Sequence, residues 1–310
     1  MKFARGLDYA GIVAASEKVA WTVDEVFQGR AIDPAKPIVP ASWVGTDALA
    51  FLGAQEQLVL NHCRAFSYVH LLGNFEEFIP LHLTDGVPAA WQGDRAQLRA
   101  LLRFGEEELK HQELFRRAEA VLEACCGHPF GRHFDADGVR LTAFTDAILE
   151  FPALPRFLIL LALEWGTQRH YVDSIHDLTE QRGAALYVDV LKAHWLEEAQ
   201  HAKTDALEVA RLARGRSAPE LRASFDGVAG IGRLVDAAFA GQVNEEIDTV
   251  QQVTGRTFCS DERAALRDML HRSMSASIAG VALTHPSFVR VACELSPEGA
   301  AALGIPAAPR

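Results

Sequence analysis

Cysteine is scarce and unpaired. The 310 residues hold five, an odd number with no Cys-x-x-Cys spacing, which excludes a disulfide framework, a zinc knuckle and a cysteine set for an iron–sulfur cluster. Basic residues are also short: 30 Lys plus Arg stand against 41 Asp plus Glu, a net charge of −11. Neither a nucleic acid nor an anionic membrane is therefore an expected partner. Long hydrophobic runs are missing. Asp8 and Glu17 interrupt the N-terminal segment, and the nearly uncharged stretch from Phe157 to Leu163 is too short to span a bilayer. A chain without leader or membrane anchor, expected in the cytoplasm, follows. There is no strand-like alternation beyond a few residues, no repeat of short period and no Gly-rich dinucleotide fingerprint. What is present is a composition of 49% apolar and 23% charged residues, enough for a packed core.

The apolar spacing is helical along almost the whole chain. It predicts a first helix over Ile12–Phe27, then a connection in which Pro34, Pro37 and Pro40 forbid helix interior geometry. A long helix capped by Thr46 or Asp47 should run to about His82, and one capped by Asp94 should cover residues 95 to about 124. After a loop at 127–138, helices are expected near 141–150, 156–178 and 182–212. A linker at 215–220 precedes further helices near 221–253, 260–281 and 286–292. Length alone suggests about two domains, but helices this long fit one all-α domain over 1–310. Its bundle core would lie at about 47–212, with extra N- and C-terminal helices, the latter at about 221–292.

The pairing Glu108 with His111 places a carboxylate and an imidazole on one helical face, and Glu198 with His201 repeats it. One such pair means little. The surroundings carry more weight: Glu164 sits in a stripe of Leu154, Leu158, Leu161, Thr167 and Tyr171, and Glu108 in a stripe with Leu101, His111 and Phe115. A carboxylate buried in an apolar stripe is expensive unless it is paired or binds a cation. The first long helix offers Glu76 and Glu77. The stripe Leu58, Ala65, Leu72, Ile79 turns Glu76 inward, whereas Cys63, Phe66, His70, Gly73 favours Glu77, and Pro80 blurs the phase. Glu76 is slightly preferred and both stand. Separations of 31 or 32 residues to Glu108, and of 34 from Glu164 to Glu198, suit antiparallel pairs holding their acids at one level. Four carboxylates and two imidazoles would relieve one another's burial if two divalent metals lay between them.

This order, Glu, Glu-x-x-His, Glu, Glu-x-x-His, resembles the ferritin-like di-iron carboxylate proteins over about residues 47–212. The resemblance implies a ferritin-like four-helix bundle with two iron ions, Fe2+/Fe3+ or a mixed Mn/Fe pair. It also implies that Glu107 and Glu197, each directly before a ligand Glu, accept the ring N–H of the opposite ligand histidine. His194, four residues before Glu198, resembles the third histidine of the AurF-type arylamine N-oxygenase branch, whose centre carries three His and four Glu. Phe115 stands where radical-generating reductase subunits keep a tyrosine. The stretch before Glu164 lacks the tyrosine of the cross-linked ligand-binding oxidases. Thr167 sits where oxygen-activating relatives keep a hydroxyl beside the oxygen pocket.

The function so implied is an O2-activating monooxygenase working through a peroxo-di-iron intermediate on a small organic substrate, with N-oxygenation of an amine as the specific form. A hydroxylase or desaturase-type oxidase, or a ferroxidase without organic substrate, are the alternatives. Electrons would come from a ferredoxin or reductase, since the chain has no flavin or nucleotide motif, and the branch suggests a homodimer. His70, His170 and His176 read as structural or solvent-facing residues.

Overall fold

The computed structural model describes residues 1–19, 21–28, 31–45, 48–84, 86–130, 139–175 and 185–308. Every regular element among them is helical. In chain order these are α1 (Tyr9–Ser16), α2 (Val23–Phe27), α3 (Ala41–Val44), α4 (Ala54–Leu83), α5 (Val87–Gln92), α6 (Arg95–Cys126) and α7 (Val139–Leu149). Then come α8 (Ala153–His170), which widens into a π turn at Tyr171–Ile175, α9 (Ala185–Ala213), α10 (Ala218–Thr254) and α11 (Ser260–Ser275), which widens likewise at Ala276–Gly280. The chain ends in α12 (Val281–Thr284), α13 (Pro286–Leu295) and α14 (Pro297–Ala302).

The expected first helix is two. Asp8 caps α1, and Thr22 restarts the chain as α2 through a capping box with Glu25, so polar side chains take the end groups of two short helices. The cap expected at Thr46 or Asp47 lies outside the described residues, as do the expected start of the helix at 182, most of the 127–138 loop and His176; α4 itself opens at Ala54, where Glu56 accepts the Gly53 N–H at 2.6 Å. Asp94 caps α6 by accepting from Ala96 and Gln97, and Gly127 ends it in the left-handed conformation that glycine adopts without steric cost. The linker expected at 215–220 is shorter, because Ser217 and Glu220 form a capping box and α10 begins at Ala218.

Four of these helices make the bundle. α4 packs on α6, α8 on α9, and α6 on α9. The ring of His82 near the end of α4 meets Phe157 near the start of α8, so these two run antiparallel; Phe104 against His201 and His111 against His194 show the same for α6 and α9. With α4 and α6 also antiparallel, the connection from α6 to α8 has to travel the length of the bundle. One long crossover is the ferritin-like connectivity. α1 covers the α6–α9 side, and α10 lies across α4 and α8. A buried ion pair, Arg64 to Glu246 at 2.9 Å, fastens α10 to α4. Gly166 lets α12 press on α8: a Cβ there would meet the Ala282 Cβ at 2.8 Å. One continuous apolar core runs from Val23 to Ile305. No described helix is long and apolar enough to cross a membrane.

Candidate metal centre

Midway along the bundle each of the four helices turns a carboxylate inward: Glu76 from α4, Glu108 from α6, Glu164 from α8 and Glu198 from α9, all buried. Three imidazoles join them, His111 from α6 and His194 and His201 from α9. His201 Nδ1 lies 2.9 Å from Glu108 Oε1 and 3.3 Å from Glu198 Oε1, and His111 Nδ1 lies 3.5 Å from Glu198 Oε1 and 3.7 Å from both Glu76 Oε2 and Glu108 Oε2. His194 Nε2 stands 3.0 Å from Glu76 Oε1 and 3.1 Å from Glu198 Oε1. Glu108, His111, Glu198 and His201 form one group whose donor atoms lie within 4.8 Å of one another, and Glu76, His111 and His194 form a second that shares His111.

The outer nitrogens of two rings are held crosswise. Glu197 of α9 takes His111 Nε2 of α6 at 3.0 Å, and Glu107 of α6 takes His201 Nε2 of α9 at 3.1 Å. This fixes the Nε2–H tautomer and aims each Nδ1 lone pair at the carboxylates. The outer acids have their own counter-charges: Lys110 reaches Glu197 at 2.6 Å, and Arg103 and Ser16 reach Glu107 at 3.0 and 2.6 Å. Trp21 closes the outside, its ring parallel to that of His111 and under the Lys110 ammonium.

Seven buried atoms at the centre have no hydrogen-bond partner: Glu76 Oε2, both oxygens of Glu108, His111 Nδ1, Glu164 Oε2, Glu198 Oε1 and His201 Nδ1. Such groups together cost many kcal/mol, at about 1–3 each, unless something of opposite charge binds them. With the outer acids neutralised by Lys110 and Arg103, the inner set carries four carboxylates, the charge that two divalent cations cancel. Without cations, protons serve instead. Burial pushes His111 down, but Glu108, Glu197 and Glu198 outweigh it and raise it to about 9; His201 is raised in the same way by Glu108, Glu198 and Glu107. Burial and the neighbouring Glu198 carboxylate push Glu164 well above the carboxylate range, while for Glu198 burial is outweighed by the Glu164 carboxyl and the charged His201, which hold it below that range, so the two acids share a proton. Burial lowers His194 to about 4, leaving it neutral.

Glu77 is not part of this cluster. It points to the rim of α4 and pairs with Arg116. Pro80 does not displace the phase, because α4 continues through it to Leu83. Thr167 lies one turn past Glu164 and donates its hydroxyl back to the Glu164 carbonyl at 2.9 Å. His70 pairs with Glu119 at 2.8 Å. Three supporting side chains had no obvious signal in the sequence: Gln112, whose amide donates to the Glu76 carbonyl, Lys110 and Ser16. A fourth, Asp205, did have one. It continues the stripe of Glu198 and His201 by one turn, is fully buried, and has neither oxygen bonded. Burial, which His201 only partly offsets, holds it well above the carboxylate range.

Between α4 and α8 a cleft, open to solvent, reaches Glu76, Glu164, His194 and Glu198; the rest of its wall is mostly apolar and includes Thr167.

No protein-family model matches the chain, and no curated protein does. Among solved structures the chain is similar to an R2-like ligand-binding oxidase with aerobically reconstituted Mn/Fe cofactor, at 13% identity and TM-score 0.43, covering 86% of this chain and 91% of that one. Two variants of that oxidase, also reconstituted with Mn/Fe, match at 14% and 15% identity, each with TM-score 0.43 over 86% of this chain. Likeness of this degree assigns neither family nor activity.

Proposed function

We propose that this chain is an oxygen-activating oxidoreductase whose bundle holds two iron ions, or a mixed Mn/Fe pair, and oxidises a small organic substrate in the cavity between α4 and α8. The observation that carries this reading is the set of seven unbonded buried atoms at the bundle centre, where two donor groups share His111, backed by crosswise outer acids that leave two imidazole lone pairs facing inward. The residues that would hold the metals are Glu76, Glu108, Glu164 and Glu198 with His111, His194 and His201. A mixed carboxylate and imidazole set suits iron and manganese. Bound there, the pair would supply the reduction of dioxygen.

The chain's own part is separable. Glu197 and Glu107 hold the two rings in register. Glu164 gives up the proton it holds when cations enter, and its backbone carbonyl is tied to the Thr167 hydroxyl. The apolar wall limits water near the inner acids and suits an organic molecule better than hydrated iron in transit, which favours substrate oxidation over a ferroxidase role. Four Glu and three His also match the ligand count of the arylamine N-oxygenases, and His194 lies between Glu76 and Glu198. That supports oxygen transfer to an amine as the specific form, with a ferredoxin or reductase as electron donor. All these donors come from one chain, so a homodimer would not be needed to complete the cluster.

Anaerobic titration with Fe(II) should saturate at two ions per chain, and rapid mixing with oxygen should give a transient visible absorption. Failure to bind any transition metal on reconstitution, or binding without reaction with oxygen, would overturn the proposal.

A further inference from the structure

The cavity has a polar end away from the carboxylates. Tyr68 lies eight residues before Glu76 on α4, and His170 six residues after Glu164 on α8. Because the two helices are antiparallel, both displacements go the same way, about 12 and about 9 Å along the axes at ~1.5 Å per residue. The two side chains meet there: Tyr68 Oη and His170 Nδ1 are 2.6 Å apart. Trp43 stacks on the His170 ring at 4.3 Å between centroids. Both π turns adjoin this end, one directly following His170 and the other supplying Ser277 and Ile278 to the wall, and such turns often accompany binding sites.

The proton positions follow from the surroundings. Burial pushes the Tyr68 hydroxyl up, so it keeps its proton, and burial lowers His170 to about 4, Asp173 offsetting little of this. The hydroxyl therefore donates to Nδ1, and the ring's one proton is on Nε2. That nitrogen is buried and has no partner. The wall is supplied largely by Leu72, Phe75, Ile79, Leu160 and Leu163, none of which can accept its proton; the Thr167 and Ser277 hydroxyls also line it, but neither is bonded to this nitrogen. An unanswered buried donor is costly, and a ligand that enters the cavity can answer it. A carboxylate is a poor candidate, because among the described residues this end offers no free cation to offset its desolvation: Arg64 is held by Glu246, and Arg169 is turned to Asp173 at the surface. A neutral carbonyl oxygen meets no such penalty.

We propose that His170, oriented by Tyr68, donates from Nε2 to a neutral carbonyl oxygen of the substrate and thereby selects elongated, otherwise apolar molecules. Their carbonyl lies about 9–12 Å from the atom presented to Glu76, Glu164 and Glu198. Only the statement of which end reacts rests on the oxidoreductase reading; the binding preference does not.

The test compares methyl heptyl ketone with n-nonane, of similar length but without the acceptor, by titrating the fluorescence of Trp43 in metal-free and in metal-loaded protein. A Trp43→Phe control identifies that signal. Wild-type protein should bind the ketone about three- to tenfold more tightly, the worth of one buried hydrogen bond. His170→Phe should abolish the preference, His170→Gln should restore part of it, and Tyr68→Phe/His170→Phe should behave as His170→Phe while leaving no hydroxyl orphaned. Equal affinities in wild-type protein, or a ketone preference that survives His170→Phe, would overturn the proposal. The wild-type comparison decides even where a variant does not fold. A protein that bound no metal yet preferred the ketone would refute the oxidoreductase reading and leave this one standing.

Discussion

The side-chain amide of Gln112 on α6 donates to the main-chain carbonyl of Glu76 on α4 at 2.8 Å. That carbonyl is the one whose helical partner would be the N–H of residue 80, and residue 80 is proline. Gln112 thus replaces the bond that Pro80 removes, and in doing so ties α6 to the turn of α4 that aims Glu76 inward.

Gln112→Leu should leave the carbonyl unanswered and cost about 1–3 kcal/mol. Pro80→Ala restores the helical N–H, so the double variant should recover most of that loss. Urea denaturation of the single and double variants measures both. Additive effects, with no recovery, would contradict the replacement.

The crosswise acids should matter for metal affinity although they are not among the residues that would hold the metals. Glu197→Ala or Glu107→Ala should weaken binding about 10- to 100-fold by releasing the His111 or His201 ring. Glu77→Gln, which removes only the pairing with Arg116, should leave two ions per chain. Competition titration against a chelator reads all three, and a loss with Glu77→Gln equal to that with Glu197→Ala would dissolve the distinction.

Metal affinity should rise with pH. Glu164 holds a proton in the metal-free fold, and His111, raised to about 9, is charged at neutral pH. Each proton must leave before a cation is bound, so lowering the pH opposes binding. Glu164→Gln should reduce the slope of log affinity against pH by about one proton, alongside a fall in affinity. An unchanged slope would show that Glu164 does not give up a proton.

The buried and half-buried histidines make the fold acid-sensitive. Burial and then Arg156 lower His82 to about 3, burial and then His62 lower His128 to about 4, and burial lowers His170 to about 4. Each is neutral in the fold but takes a proton near pH ~6.5 when unfolded. Below that value the unfolded chain binds more protons, so stability is present above it and is lost as pH falls toward the folded values. The urea midpoint should be lower near pH ~5 than near pH ~7, and His82→Leu should flatten the decline. A midpoint that does not move between these conditions would be the contrary result.

Gly166 sets the distance between α8 and α12. Gly166→Ala would press a methyl on Ala282, at a cost of about 1–3 kcal/mol. Ala282→Gly should relieve only part of it, because the Ala282 Cα would still lie 2.9 Å from the new methyl. Thermal unfolding of the pair checks this; a neutral Gly166→Ala would mean that α12 shifts freely.

What the sequence determined by itself is whatever one helix fixes within two turns. Apolar spacing located the long helices, and Glu108 with His111, Glu198 with His201, and Glu164 in its leucine stripe were legible because helical geometry places such residues on one face whatever surrounds them. Asp205 was legible on the same terms, one turn beyond His201. Relations between helices were decided only by the tertiary structure. Glu76 and Glu77 differ by about 100° around one axis, and Arg116 and Gln112, both on the neighbouring helix, separate them. Likewise the crossing of Glu197 to His111, the cavity between α4 and α8, and the meeting of Tyr68 with His170 all join residues that no local spacing relates, since their distances depend on how whole helices pack rather than on the rise and turn of any one of them.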